Sequence, residues 1–380
     1  MEPNAAARAT VARNEESLVA LSHRIHAHPE LCFEETQSSA WTAGLLADGG
    51  LAVETGVGGL DTAFVARAGS GPLHIAICAE YDALPGIGHA CGHNIIAATA
   101  VGAGLALAPL ADELGLTISV IGTPAEEGGG GKVYMLERGV FDGIHAALMV
   151  HPAPLDVLRP RVSAVSHFSV RYTGRESHAA AAPHLGINAA DAFVVAQAAI
   201  GLLRQHLRAT DQVHGFVTHG GDAANIIPAH TEGDWMVRAR TIAELDEVQP
   251  RVNCCFEAGA IATGATLELE DVCPTYSHME HDADLVELYG EAAQSIGRTY
   301  GDGDITFSTD MGNVSLAMPS IHPCIAIDTG GAVNHQPEFT AAAVNASADR
   351  AVVEGALALA LTAIGAAGGP LRDRLLAADR

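Results

Sequence analysis

The run Gly88-His89-Ala90-Cys91-Gly92-His93-Asn94 places two histidines and a cysteine within five residues. The Cys91 thiol has three readings: a nucleophile, a metal ligand or a small buried hydrophobe. Other reactive types stand elsewhere: Asp82 in "AEYDALP", Glu126-Glu127 in "GTPAEEG", His151 in "MVHPA" and His335 in "GGAVNHQPEF". Thiolate, imidazole and carboxylate together suit zinc or a similar divalent ion. In an adjacent pair such as Glu126-Glu127, one carboxylate can hold metal while the other serves as general base toward water. Singly, each has an ordinary reading, since the chain has 19 histidines and a Glu pair often opens a solvated helix turn. A cysteine hydrolase built on Cys91 would leave Glu126, Glu127, His151 and His335 without a task. A metal-holding protein without catalysis would have no use for Glu126.

These residues must be brought together by the elements before them. Short apolar runs, "DTAFVARA", "LHIAICAEYD", "LTISVIGTPAEEG" and "AALMVHPA", alternate with helical segments. That alternation predicts an α/β layered core with helices on both faces. Each candidate follows a strand end, the edge at which open α/β sheets place ligands. A helix is expected over Asn14–His28, another over Gln37–Leu46 and a third from Asn94, where Asn is a good N-cap. The segment over residues 166–280 reads β-α-β-β-α-β, the split ferredoxin-like order. It is expected as a domain inserted between the two parts of the first, 1–165 and 281–380. "GGGGK" lacks the Ser or Thr of a phosphate loop and reads as a flexible loop beside Glu127. No Gly-x-Ser-x-Gly elbow occurs.

The 380 residues are 48% hydrophobic and 17% charged, as in globular proteins. A formal charge of −25 with 20 Lys and Arg argues against nucleic acid or an anionic membrane as partner. The apolar run Ile95–Ala111 has mostly small side chains and reads as a buried helix rather than a span. Seven scattered cysteines do not resemble a disulfide framework, and no secretory leader is visible, so the cytoplasm is the expected location.

Beyond the motifs above, "HAHPELCFEET", "GRESHAAAAPHLGINAADA", "GGDAANIIPAH" and "STDMGNVSLAMPSIHP" recur in matching order in a known family. The chain resembles the aminoacylase and carboxypeptidase-G type metallopeptidases, a family of metal-dependent exopeptidases and amidohydrolases. Its Cys-Gly-His motif is similar to the branch of auxin-conjugate and aminobenzoyl-glutamate hydrolases. The resemblance implies a mixed α/β sheet flanked by helices, with the inserted ferredoxin-like α+β domain as a lid and dimerisation unit. It implies Cys91, His93, Glu127, His151 and His335 as ligands of one or two Zn²⁺ or Mn²⁺ ions. Glu126 is then the general base, and Asp82 orients a ligating group. In a homodimer, His178 would reach the neighbouring subunit's site to steady the oxyanion. Asn225 would contact substrate, and Arg238 would hold a substrate carboxylate. The implied substrates are small amides: N-acyl amino acids, aminobenzoyl-glutamate-like conjugates or dipeptides of the β-alanyl-lysine type. The sequence departs at Asn94, where many members of the branch carry Asp, and leaves His89 without a role.

Overall fold

The computed structural model describes residues 2–301, 303 and 305–377. The chain divides into two compact units: Met1–Arg161 with Met279–Arg380, and Val162–His278. In chain order the first part of unit one holds α1 (Pro3–Ala27), α2 (Thr36–Asp48), β1 (Ala52–Thr55), β2 (Phe64–Ala68) and β3 (Leu73–Ala79). There follow α3 (His93–Leu107), α4 (Ala111–Leu114), β4 (Leu116–Gly122), α5 (Gly131–Glu137), β5 (Ala146–Leu148) and β6 (His151–Ala153). After β7 (Arg161–Val162), unit two comprises β8 (Ala164–Thr173), α6 (Ala189–Leu203), β9 (Gln212–His219), β10 (His230–Ala239), α7 (Ile242–Thr263) and β11 (Thr266–Asp271). Unit one resumes with α8 (Ala283–Gln294), β12 (Thr306–Phe307), α9 (Met311–Ala317), β13 (Ser320–Ile321) and β14 (Cys324–Ala326). It ends with α10 (Pro337–Ala342), α11 (Ala346–Ala366) and α12 (Gly369–Ala377).

The main sheet of unit one is mixed, in the order β1-β2-β4-β3-β5-β13. β3 runs parallel to β4 and to β5, with Ala79 opposite Gly122 and Ile77 opposite Leu148. The three strands therefore end at one edge, and the segments that follow them start side by side. β3 and β4 are buried along nearly their whole length, as near-continuous apolar strands covered on both faces must be. Every residue of α3 is buried, and it packs against α1 and α11. His93–Leu114 is apolar and long enough to cross a membrane by composition, and 89% of that window lies inside the protein. Small residues permit this: a Cβ at Gly102 would stand 2.6 Å from the Cβ of Ala356 on α11.

Unit two has the antiparallel order β11-β8-β10-β9, with α6 and α7 packed on each other and on the sheet. Strict burial alternation along β10 marks a half-buried strand, and its inward residues Trp235 and Val237 join Phe168, Tyr172 and Phe256 in a separate core.

Three local expectations are corrected. α1 begins at Pro3 instead of Asn14, because the alanine-rich "NAAARATVAR" is a strong helix former whose Ala7 and Val11 are buried. Asn94 is not the cap of α3. The cap position is Gly92, at φ 79°, and Asn94 Nδ2 donates to Ser22 Oγ at 2.8 Å and to the Ala343 carbonyl at 2.9 Å. Asn94 thus ties the start of α3 to α1 and to the loop before α11. The glycine tract is no flexible loop: Gly130 caps α5 at φ 69°, and a Cβ at Gly131 would lie 1.9 Å from the Pro124 carbonyl oxygen. Lys132 follows it, wholly buried.

Candidate metal centre

The residues after β3, β4 and β5 meet. Asp82, three residues beyond β3, accepts the His93 Nδ1–H at 2.9 Å on Oδ1 and the Glu127 backbone N–H at 2.9 Å on Oδ2. It therefore fixes two candidate ligands at once and sets the His93 tautomer, leaving Nε2 free. Burial opposes ionisation of Asp82, but the His93 charge and hydrogen bond and the Glu127 N–H outweigh it and hold Asp82 at about 2. His151 is set in the same way: Nδ1 donates to the Pro152 carbonyl at 2.8 Å, and Nε2 lies 3.5 Å from Cys91 Sγ. His335 comes from a loop at φ 70°, and its Nε2 lies 3.5 Å from Glu127 Oε2.

Two donor sets result. The ligating atoms of Cys91, His93 and His151 lie within 4.8 Å of one another, and so do those of Cys91, Glu127 and His335. Cys91 is common to both. All five expected ligands are thus brought together, and Glu126 adjoins them with its Oε2 3.8 Å from His93 Nε2.

The donors fit a divalent cation. His93 Nε2, Glu80 Oε2 and Glu127 Oε1 are buried with no hydrogen-bond partner. Three carboxylate oxygens face His93 Nε2: Glu80 Oε2 at 3.5 Å, and Glu126 Oε2 and Glu127 Oε1 at 3.8 Å each. Burial works against a charged His93, yet the Asp82 charge and hydrogen bond lift its pKa well above the usual histidine value. The pocket draws positive charge to that nitrogen, where a metal ion competes with the proton. Burial, then the Glu127 charge, push the Cys91 thiol far up. A cysteine nucleophile needs the opposite shift, whereas a cation makes the thiolate directly. Burial, then the His93 charge, lower His151 to about 4, so it presents a neutral imidazole.

Among the remaining candidates, His178 and Asn225 sit together in unit two. The Ala179 N–H donates to the Asn225 carbonyl at 3.0 Å, and both residues are exposed. His178 Nδ1 accepts the N–H groups of Ala180 at 3.2 Å and Ala181 at 3.1 Å, which leaves Nε2 as the donor. Arg238 is not with them. It lies eight residues along β10 from His230, roughly 26 Å at ~3.3 Å per residue, with its Nε 3.2 Å from His214 Nε2.

Sequence reasoning missed a buried trio beneath the site. Lys132 Nζ donates to Glu80 Oε1 at 2.5 Å and to Asp310 Oδ1 at 2.6 Å, all three side chains fully buried. It also missed Glu35, whose Oε1 accepts the N–H of Phe33 at 2.9 Å and of Ala125 at 2.8 Å. The available signals were Glu80 two residues before Asp82, and a lone Lys closing a glycine run.

Comparison with known proteins adds the lineage. The description "Peptidase family M20/M25/M40" matches residues 76–358. The chain belongs to that family. It is 37% identical over 368 residues to a Xaa-Arg dipeptidase of Mus musculus, covering 92% of this chain and 85% of that protein. To a p-aminobenzoyl-glutamate hydrolase chain of Escherichia coli (strain K12) it is 33% identical, covering 67% and 58%. In fold it is similar to a putative aminohydrolase of methicillin-resistant Staphylococcus aureus, with TM-score 0.77, 23% identity and 95% and 99% coverage. A dinuclear metal-binding peptidase of Bacillus subtilis aligns with TM-score 0.71 at 22% identity, over 93% and 98% of the chains. This M20 chain is a metal-dependent hydrolase of amide or peptide bonds, as its motifs led us to expect.

Proposed function

We propose that this M20 hydrolase cleaves small dipeptides or N-acyl amino acids with two Zn²⁺ or Mn²⁺ ions, one held by Cys91, His93 and His151 and the other by Cys91, Glu127 and His335. The observation that carries this reading is the sharing of Cys91 between two donor sets beside a buried Glu126. Bound divalent ions supply Lewis acidity toward water and toward the scissile carbonyl.

The chain's own residues do the rest. Burial, followed by the charges of Glu80 and Glu127, raises Glu126 well above the usual carboxylate range, so this side chain accepts and keeps a proton readily. It takes that proton from the attacking water and returns it to the leaving amine nitrogen. Asp82 keeps His93 in its tautomer and Glu127 in place through the two bonds given above. His178, with Nε2 as donor, would steady the oxyanion in a neighbouring subunit of a homodimer.

Dipeptides with a basic second residue are the favoured substrates. Relatives aligned over 92% of the chain are named for Xaa-Arg dipeptides, and a net charge of −25 concentrates cations at the surface. Purified protein stripped with a strong chelator should lose turnover on a panel of Xaa-Arg and Xaa-Lys dipeptides, N-acyl amino acids and aminobenzoyl-glutamate. Zn²⁺ or Mn²⁺ should restore it. Turnover that survives stripping to below 0.1 metal per chain, on the order of a trace, removes the metal mechanism.

A further inference from the structure

Phe33 carries an aromatic ring that neither the core nor the proposed ligand set accounts for. Its backbone stands at φ 63°, in the left-handed region that strains a residue with a Cβ. Burial of the ring would offset that strain, yet Phe33 is 39% exposed, and Leu31, two residues earlier, is 38% exposed. A glycine at this position would be free of the strain. The chain therefore keeps a bulky, half-bare ring where the backbone favours none.

The ring stands beside the metal centre. Its segment is tied to the elements of the centre at three points. The Ala83 N–H donates to the Glu30 carbonyl at 2.8 Å, Cys32 Sγ donates to Asp82 Oδ2 at 3.5 Å, and the Ala125 N–H donates to Glu35 Oε1 at 2.8 Å. Gly129, two residues after Glu127, makes room for the ring, since a Cβ there would lie 2.6 Å from Phe33 Cε2. Tyr134 on α5 backs it, with ring centroids 6.3 Å apart. Among the described residues, unit one has five exposed large hydrophobics. Three of them lie on segments that carry or hold candidate ligands: Leu31, Phe33 and Val333, the last two residues before His335. Apolar side chains left bare beside a few convergent polar groups are what a small-molecule site presents.

We propose that Phe33, backed by Tyr134 and joined by Leu31 of the same loop, is the wall that receives an apolar side chain or acyl group on the acyl side of the scissile bond. The group it takes is apolar rather than basic. The Arg138 guanidinium already lies 5.2 Å from the Tyr134 ring centre and donates to the Gly58 carbonyl at 2.7 Å, so a second cation brought there meets a like charge. With a basic second residue in the dipeptide, as proposed above, the wall is left to the first residue. Phe33 then sets which first residues are cleaved well.

The inference rests on the amide-hydrolase substrates proposed above, and one experiment separates the two. Metal-loaded wild type and Phe33→Ala are compared on pairs that differ only on the acyl side: Phe-Arg with Gly-Arg, and N-benzoyl-arginine with N-acetyl-arginine. In kcat/KM the wild type should prefer the larger member of a pair by about tenfold or more, the reach of an apolar pocket, and Phe33→Ala should lower that ratio by about fivefold or more. A smaller change in the ratio, whatever happens to the individual rates, overturns the role of Phe33 alone. So does a wild type that cleaves both members of each pair equally well. A metal-loaded wild type that cleaves neither pair overturns the substrate reading itself. Should Phe33→Ala not fold, wild-type crystals with a Phe-Arg analogue whose scissile amide is reduced to an amine decide. The analogue's phenyl ring within about 4.5 Å of the Phe33 ring supports the assignment, and a greater separation refutes it.

Discussion

Glu126 and Glu127 are neighbours whose surroundings assign them different work. Glu127 reaches His93 and His335 with its two oxygens, while its N–H is held by Asp82. Glu126 is buried among carboxylates that favour its protonated form. Replacing Glu126 by Gln keeps the shape and removes the proton acceptor. We expect metal content unchanged and kcat lower by about 10²–10⁴-fold, the span of general acid–base contributions. A kcat within threefold of wild type, on the order of an ordinary surface substitution, would sink the role of base. The candidate ligands could be picked out in the sequence because rare donor types each follow a strand end, and their motif order carried the family resemblance. Lys132 could not, because its burial depends on Glu80, 52 positions earlier, and Asp310, 178 positions later. No local pattern records pairs so distant, and beside four glycines a lysine reads as loop. Arg238 has a type that suits a substrate carboxylate, and it stands near the end of β10 away from His230, with its Nε beside His214.

At the scale of elements, the turn after β4 decides where the two glutamates point. Ala125 takes φ 59° and Phe33 takes φ 63°, both in the left-handed region that costs a residue with a Cβ about 1 kcal/mol or more. A single oxygen, Glu35 Oε1, accepts both of their N–H groups, and Thr62 Oγ1 donates to Oε2 at 2.8 Å. Glu35→Ala should therefore cost on the order of 2 kcal/mol, from the buried Ala125 N–H left unpaired and the part-buried Phe33 N–H left to solvent. It should lower kcat as well, because Glu126 is the next residue after Ala125. Glu35→Gln keeps an acceptor and should retain most of both. Burial, then the charge of Asp82, push Glu35 up to about 7 from 4.5. Between those pH values the folded chain binds more protons than the unfolded chain. Stability therefore falls as pH rises through the window, by up to about 3 kcal/mol. Urea midpoints of Glu35→Gln should flatten over that window relative to wild type, and parallel profiles would exclude Glu35 as the titrating group. The alternation of strands and helices that makes the α/β core was readable from the apolar runs. The first turns of α1 were not, since alanines bury well without marking a face.

At the scale of the whole molecule, exposed apolar side chains are unevenly spread. Among the described residues, nine of the fourteen large hydrophobics on the surface belong to Val162–His278, although that unit is 117 of 380 residues. Val194 and Leu202 lie eight residues apart on one side of α6, exposed by 64% and 76%. Phe216 stands 62% exposed on β9, the strand at an open edge of its sheet. An uncovered edge strand and an apolar helix face are surfaces that soluble proteins keep for partners. This supports the expectation from the family motifs that the inserted unit joins two copies of the chain. Sedimentation should then give the mass of two chains for wild type, and of one for Phe216→Asp or Leu202→Glu. Both substitutions point away from their own core, so each monomer should keep its fold and its metal. If His178 acts in the neighbouring subunit, those monomers should lose turnover while metal content holds. Monomers with wild-type kcat would show that each chain completes its own site, and a single-chain mass for wild type would remove the dimer altogether.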